Sequence, residues 1–210
     1  MFDAKRISKG KITCCIDKVI NFIPNSVDDI MLPSVVGRTG YVGESIKLTT
    51  NKQNTTTNLY ECGFSTFNFD MSRVLCSEFT VEGIKGLDGY YNMTASIQDD
   101  AGNIVKFYTN DITGTETRVS TSLNNVTTDK VLIDKHNISG NADLYYNFTI
   151  QIDKQFGKVS LFHNDQIMGY LDVSGLDALG ENSRFVLYIS NSANGGKSVT
   201  IRQVKVSLKY

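Results

Sequence analysis

Apolar and polar residues alternate along the last third of the chain. Between residues 145 and 153 the even positions are apolar and the odd positions are mostly polar, as shown by Tyr146, Phe148, Ile150 and Ile152 against Asn147, Thr149, Gln151 and Asp153. A pleated strand points successive side chains to opposite faces, so this period of two buries one face and leaves the other in water. The pattern predicts an all-β protein, an antiparallel two-sheet sandwich.

Similar strand patterns, separated by Gly, Asn and Asp, recur through the middle of the chain. The predicted strands are Ser45–Thr49, Leu59–Phe69, Val74–Ile84, Tyr90–Gln98, Ile104–Thr109 and Arg118–Leu123. Residues Asp99–Asn103 predict a short hairpin loop in which Gly102 has a positive φ.

Three strands near the C-terminus, 145–153, 158–163 and 166–173, are predicted to form a meander. The alternation then changes phase between Ile201 and Val204, which predicts a β-bulge near Gln203. The only helix that the pattern allows is a short one at Leu176–Leu179.

The strand order of the C-terminal third resembles the second half of concanavalin A-like (laminin G-like) jelly rolls. The matching segments are Tyr146–Asp153, Val159–Asp165, Gly169, Arg184–Ser190 and Val199–Leu208. The resemblance implies a two-sheet jelly-roll sandwich and leaves the activity open.

The first 33 residues differ from the rest because they hold both prolines of the chain, Pro24 and Pro33. We therefore expect an N-terminal arm or docking segment over residues 1–33 and a β-sandwich domain over residues 34–210. The arm would dock through its apolar side chains, which are Ile12, Ile16, Val19, Ile20, Phe22 and Ile23.

Composition and charge exclude several classes. The 210 residues carry a net charge of only −1, which argues against nucleic acid as a partner. The apolar runs are far too short for membrane insertion, and residues 1–12 lack the apolar core of a signal peptide. The four cysteines include no C-x-x-C pair, so zinc is not expected. Spacing allows a disulfide between Cys62 and Cys76, although we expect four buried free thiols in a chain without a secretion signal.

One segment invites a metal and a glycan. Asp143, Tyr145 and Asn147 match the D-x-Y-x-N order with which legume-type lectins of this fold class hold calcium, and Asp153 follows. The family's preceding acidic residue is Asn141 here, and the segment lies on a regular strand, so we expect no resident cofactor. If a metal binds, it would be calcium at Asp143 and Asp153. Tyr145 and Asn147 also suit a sugar, through ring stacking and amide hydrogen bonds.

No catalytic group stands out. Glycosidases of this fold place carboxylates on one strand, typically as E-x-D-x-E. The six glutamates here are dispersed, and no such run occurs. We therefore expect no enzymatic activity from the sequence, and a glycoside hydrolase is the last of three alternatives.

The first hypothesis is a virion structural or decoration protein of a bacteriophage head or tail. A jelly roll rich in Asn, Thr and Ser is typical of proteins outside cells, yet this chain begins with Met and lacks an export signal. Virion proteins are made in the host cytoplasm and released by lysis. Partners would be other virion proteins, copies of itself or a surface glycan. The second hypothesis is a carbohydrate-binding, lectin-like module for receptor recognition.

Overall fold

The computed structural model describes residues 18–22, 37–42, 45–50, 60–66, 68–85, 91–109, 117–133, 146–191 and 198–210, with side chains over 65–66, 68–85, 94–108, 117–131, 146–188 and 199–210. These residues form fifteen strands and one short 3₁₀ helix, Leu176–Ala178. The strands are β1 (Lys18–Phe22), β2 (Gly37–Val42), β3 (Ser45–Thr50), β4 (Tyr60–Ser65), β5 (Cys76–Ile84), β6 (Tyr91–Gln98), β7 (Ile104–Thr109), β8 (Thr117–Leu123), β9 (Val126–Ile133), β10 (Tyr146–Asp153), β11 (Lys158–His163), β12 (Gln166–Asp172), β13 (Arg184–Asn191), β14 (Ser198–Ile201) and β15 (Gln203–Lys209).

Two six-stranded antiparallel sheets form the sandwich. The back sheet has the strand order β1-β15-β5-β10-β11-β12, and the front sheet has the order β4-β13-β6-β7-β8-β9. A smaller three-stranded sheet, β14-β3-β2, completes the described strands. The predicted all-β, two-sheet jelly-roll class is therefore confirmed.

The core lies between the two large sheets, and an aromatic stack joins them. Phe79 on β5 of the back sheet is fully buried, and its ring lies 5.7 Å from that of Phe185 on β13 of the front sheet, nearly parallel to it. The ring centroid of Phe69 lies 5.5 Å from the ring centroid of Phe79. Burying such rings supplies much of the hydrophobic stabilisation of a sandwich.

The predicted C-terminal meander is confirmed. β10, β11 and β12 pair in sequence, and β11 has the predicted bounds. The turn between β11 and β12 is Asn164-Asp165, with φ of 45° and 64°, as a two-residue hairpin of this kind requires.

The predicted bulge near Gln203 is wrong. β14 ends at Ile201 in the small sheet, and β15 begins at Gln203 in the back sheet, so the phase change marks a strand that switches sheets. At the corner, the N–H of Arg202 donates to the carbonyl of Glu82 at 3.0 Å. A break and a bulge change the local alternation in the same way, and only the pairing partners distinguish them.

Three residues of the expected arm lie in a described strand. Val19, Ile20 and Phe22 lie in β1, which pairs antiparallel with β15 at the edge of the back sheet. Ile12, Ile16 and Ile23 lie outside the described residues, as does the proposed boundary at residue 33. The docking role of these residues and the division into arm and sandwich stay predictions.

Cys76 is disulfide-bonded, so the expectation of four free thiols is wrong. Its position at the start of β5 places the bond at one end of the back sheet. Within the described ranges, no helix has the length and hydropathy of a membrane span.

Candidate functional site

The outer faces of the two large sheets differ in exposure. The outer face of the back sheet carries polar side chains that are nevertheless buried. Gln151 Nε2 donates to Glu78 Oε1 at 3.0 Å, and the hydroxyls of Thr80 and Thr149 are hydrogen-bonded at 2.9 Å. The part of this face on β5 and β10 is therefore closed to a large ligand, and the front sheet is the better candidate.

The outer face of the front sheet is built by strict alternation on β7 and β8. On β8 the residues alternate between buried and half-buried along the whole strand, and on β7 Val105 and Phe107 face the core. Polar side chains therefore face outward at the intervening positions. The antiparallel register places them in rows across β6, β7, β8 and β9. One row is Ser96, Lys106, Ser120 and Asp129, and the next is Thr94, Tyr108, Arg118 and Val131.

Three side chains of these rows form a connected polar cluster. The Tyr108 hydroxyl donates to Asp129, 3.1 Å from Oδ2 and 3.4 Å from Oδ1. The Nε of Arg118 donates to Asp129 Oδ1 at 3.2 Å, and the side chains of Arg118 and Asp129 are 29% and 43% exposed. The carboxylate is thus held in place by two donors and still reaches solvent. We call Tyr108, Arg118 and Asp129 the front cluster.

Burial of Tyr108 raises the pKa of its phenol above the ordinary value, and the hydrogen bond to Asp129 and the charge of that carboxylate raise it further. Arg118 opposes this shift but does not cancel it. The phenol therefore keeps its proton at neutral pH and acts as a hydrogen-bond donor to Asp129.

Lys106 lies beside the front cluster, near the middle of the sheet. Its Nζ is 5.1 Å from the centroid of the Tyr108 ring, within the range of a cation–π contact. Its register neighbours, Ser96 and Ser120, carry small hydroxyls. On the other side of Lys106, the same row continues through Ser96 on β6 and Val186 on β13, which are both buried. Solvent therefore reaches this face over β7, β8 and β9.

The hairpin between β6 and β7 fixes the register of this face. Asp99 Oδ1 accepts hydrogen bonds from the N–H groups of Ala101 and Asn103, and Oδ2 accepts from Asn103 Nδ2 and the N–H of Gly180. Gly102 has a φ of 87°, as predicted for this loop. The loop is therefore tied both to itself and to the segment that follows the 3₁₀ helix.

The residues proposed from the sequence for a glycan lie elsewhere. Tyr145 lies outside the described residues. Asn147 is exposed on β10 of the back sheet, where its Oδ1 accepts from the N–H of Gly83 at 2.8 Å. It lies opposite a β-bulge on β5, where Glu82 and Gly83 face the single residue Asn147, and Gly83 has a φ of 66°. The structure thus gives Asn147 a backbone partner, and its role toward a sugar stays a prediction.

The residues proposed for a metal are also not brought together. Asp143 lies outside the described residues, and Asp153 is buried, with Oδ1 accepting from the N–H of Phe156 at 3.0 Å. Within the described residues no group of three His, Cys, Asp or Glu side chains is arranged to hold a metal ion. Calcium binding stays an untested prediction.

Sequence reasoning did not single out Lys106, Tyr108, Arg118 or Asp129 as functional residues. Two signals could have found them. The alternation of β7 and β8 places Lys106, Tyr108 and Arg118 on one face, and Asn124-Asn125 is a hairpin turn with φ of 50° and 63°. That turn folds β9 back against β8 and brings Asp129 beside Arg118.

Comparison with known proteins identifies the fold. A scan against protein-family models finds no match, and neither does a search of curated proteins. Among solved structures, the Crh5 transglycosylase matches with a TM-score of 0.60 and 13% identity, over 90% of this chain and 83% of that one. SCLam, a non-specific endo-β-1,3(4)-glucanase from family GH16, matches with a TM-score of 0.59 and 10% identity, over 97% and 88% of the two chains. A lectin from Bauhinia forficata in complex with GalNAc matches with a TM-score of 0.57 and 10% identity, over 91% and 98%.

These neighbours correct two expectations. Most are glycosidases or polysaccharide lyases, which contradicts the virion structural or decoration protein as the first hypothesis. The expectation of no enzymatic activity is wrong on the same evidence, because a transglycosylase and an endo-β-galactosidase are among the similar structures. The proposed virion localisation and partners are tested by none of these findings. At identities of 9–13% the likeness shows the fold, a concanavalin A-like jelly roll, and the function has to be argued from the front face.

Proposed function

We propose that this chain is a carbohydrate-active protein of the glycoside hydrolase type, which binds a polysaccharide along the outer face of the front sheet. The observation that carries the proposal is the front cluster, a solvent-accessible carboxylate oriented by Tyr108 and Arg118 on an otherwise hydroxyl-rich sheet face. Support comes from the fold, because most of the similar structures act on polysaccharides.

The face suits a chain of sugars. Serine and threonine hydroxyls and the Gln98 amide line its rows, and each is able to donate and accept hydrogen bonds. Tyr108 adds an aromatic ring of the kind that packs against apolar sugar faces. Antiparallel strands lie about 4.8 Å apart, so the three strands β7 to β9, toward which the face opens, offer a track of roughly 10 Å for a sugar chain.

Asp129 is the group that we assign to the chemistry. Hydrolysis of a glycosidic bond uses two carboxyl groups, one to move a proton to or from the leaving oxygen and one to assist the attack. We assign the proton transfer to Asp129; the described outward positions of β6 to β9 hold no second carboxyl group for the other role. Asp129 is the carboxylate that the described strands place on this face, and its two donors leave part of it open to a ligand. The hydrogen bonds from Arg118 and Tyr108 fix its orientation.

The test is the release of reducing ends from a panel of soluble polysaccharides, neutral and acidic, by the wild-type protein and by Asp129→Asn. We expect turnover of at least one polymer and a loss of about 10² or more in the variant, the usual contribution of an acid–base group. Asp172→Asn is the matched control, because Asp172 is an exposed carboxylate on the back sheet whose partner is Lys158, 3.9 Å away.

Turnover that Asp129→Asn leaves unchanged would overturn the assignment of this residue. Binding without turnover would overturn hydrolysis and favour recognition alone, as in the lectin that shares the fold. A protein that neither binds nor cleaves any polymer of the panel would contradict the proposal as a whole.

A further inference from the structure

We infer that the polysaccharide is acidic and that one of its carboxylate or sulfate groups binds Lys106. This inference rests on the proposed function, because it names the class of ligand for the same face. It comes from the arrangement of charge around Lys106, which is half-buried near the middle of β7.

No acidic residue borders Lys106 on the sheet. Its neighbours on the outer face of the same strand, and at the paired and diagonal positions of the two flanking strands, are known from the register. They are Thr94, Ser96, Gln98, Ile104, Tyr108, Arg118, Ser120 and Ser122. The only other charge in this set is also positive. An anion arriving at Lys106 would therefore meet hydroxyls, an amide and a second cation, with no repulsion from a neighbouring carboxylate.

Lys106 also lacks a neutralising partner. Among the described residues, Lys106 contacts the Tyr108 ring and forms no ion pair; the ion pairs of these residues are made by other cations. The nearest carboxylate in the same row is that of Asp129, two strands away at a backbone spacing of about 10 Å, and it is already bound by Tyr108 and Arg118. Counting Lys106 and Arg118 against Asp129, this part of the face carries a charge of 2 − 1 = +1.

A half-buried cation without a counterion favours the binding of an anion. Partial burial lowers the local dielectric constant, so an approaching anion interacts with Lys106 more strongly than it would in bulk water. On the side toward which the face opens, half-buried Ser120 supplies a hydroxyl donor to the same group. The Tyr108 ring, 5.1 Å from the ammonium, is placed to pack against the sugar that carries the charge.

The experiment compares binding of the full chain to three polymers, a neutral β-glucan, a polyuronate and a sulfated galactan, by calorimetric titration. We expect the wild type to prefer a charged polymer, and the two charged probes decide between carboxylate and sulfate. Lys106→Met should weaken binding of that polymer by about tenfold to a hundredfold, the loss of one charge-assisted hydrogen bond. Binding of the neutral polymer should change little.

Two further variants separate the charge of Lys106 from its packing. Lys106→Arg keeps the charge and should retain most of the affinity. Lys158→Met is the matched control, because Lys158 on the back sheet also contacts a tyrosine ring, with its Nζ 4.5 Å from the centroid of Tyr170. It should leave binding unchanged. Added salt should weaken binding of the charged polymer by the wild type more than by Lys106→Met.

The failures of the two proposals are distinguishable. A wild type that prefers the neutral polymer, or a Lys106→Met variant that binds the charged polymer as the wild type does, would overturn this inference and leave the proposed function standing. A wild type that binds none of the three polymers would overturn both.

Discussion

Asp99 holds the β6–β7 hairpin in place, and its replacement by asparagine tests whether this loop anchors the front face. In the wild type, Oδ2 accepts hydrogen bonds from Asn103 Nδ2 at 3.0 Å and from the N–H of Gly180 at 3.1 Å. In Asp99→Asn an NH₂ group would take the place of one oxygen. If Oδ1 keeps its two bonds inside the loop, the NH₂ group faces two donors, and both bonds on that side are lost.

The expected cost follows from those two bonds. A hydrogen bond to a charged group contributes about 1.5–3 kcal/mol, and solvent access to this loop favours the lower end, so we expect Asp99→Asn to lose about 3 kcal/mol of unfolding free energy at neutral pH. A domain of this size is typically stable by about 5–15 kcal/mol, so the effect is large. Urea unfolding followed by circular dichroism, with equal m values, measures it.

The contribution of Asp99 to stability should depend on pH in a direction that follows from the pKa of its carboxyl group. Burial alone would raise the pKa of Asp99, but hydrogen bonds from Asn103, Gly180 and Ala101 outweigh it and lower the pKa below the ordinary value. A carboxyl whose pKa is lower in the folded state stabilises the protein above its unfolded pKa of about 3.9, and loses that contribution as the pH falls through the folded pKa. The difference in unfolding free energy between the wild type and Asp99→Asn should therefore become smaller below about pH 4. An equal stability at pH 7, or a gap that stays constant in acid, would refute the reasoning.

Three other perturbations test separate parts of the structure. Phe79→Ala removes the ring that stacks on Phe185 between the sheets and should cost about 3–5 kcal/mol of unfolding free energy in urea titrations; a loss below 1 kcal/mol would contradict the core assignment. Lys154→Met removes a donor that bonds two backbone carbonyls at 2.6 and 2.8 Å and should cost about 2 kcal/mol by the same assay, whereas Lys154→Arg should recover part of it. Asp129→Asn should lower the pKa of Tyr108 in an NMR titration of labelled tyrosines, because it removes the negative charge that helps to raise this pKa; an unchanged pKa would contradict that role of the charge.

Local patterns were sufficient to predict much of the fold. The predicted strands Ile104–Thr109 and Lys158–His163 have the observed bounds of β7 and β11. Val105 and Phe107 of β7 and Val159 and Leu161 of β11 are buried in the core, which gives both sequences a clear apolar period of two. β9 was missed because its sequence, VTTDKVLI, does not alternate, and its described side chains are mostly exposed on both faces. A strand without a buried face leaves little signal in its sequence.

The candidate site was harder to predict because it depends on register. Lys106 and Arg118 are polar residues at outward positions, which by themselves look like any solvated face. Their functional role depends on the residues beside them on neighbouring strands. The pairing of β8 with β9 brings Asp129 next to Arg118. Asn147 was predicted to contact a sugar because Asp143, Tyr145 and Asn147 match a lectin-like order, yet its side chain accepts from the Gly83 N–H.

The most direct test of the front-face proposal is a map of backbone amide shifts in the isotope-labelled protein as an acidic oligosaccharide is added. We predict that the shifts concentrate on β7, β8 and β9, around Lys106, Ser120 and Asp129, and that the amides of β10 and β11 on the back sheet do not shift. Shifts centred on Asn147 and its neighbours, with the front sheet unaffected, would contradict the account.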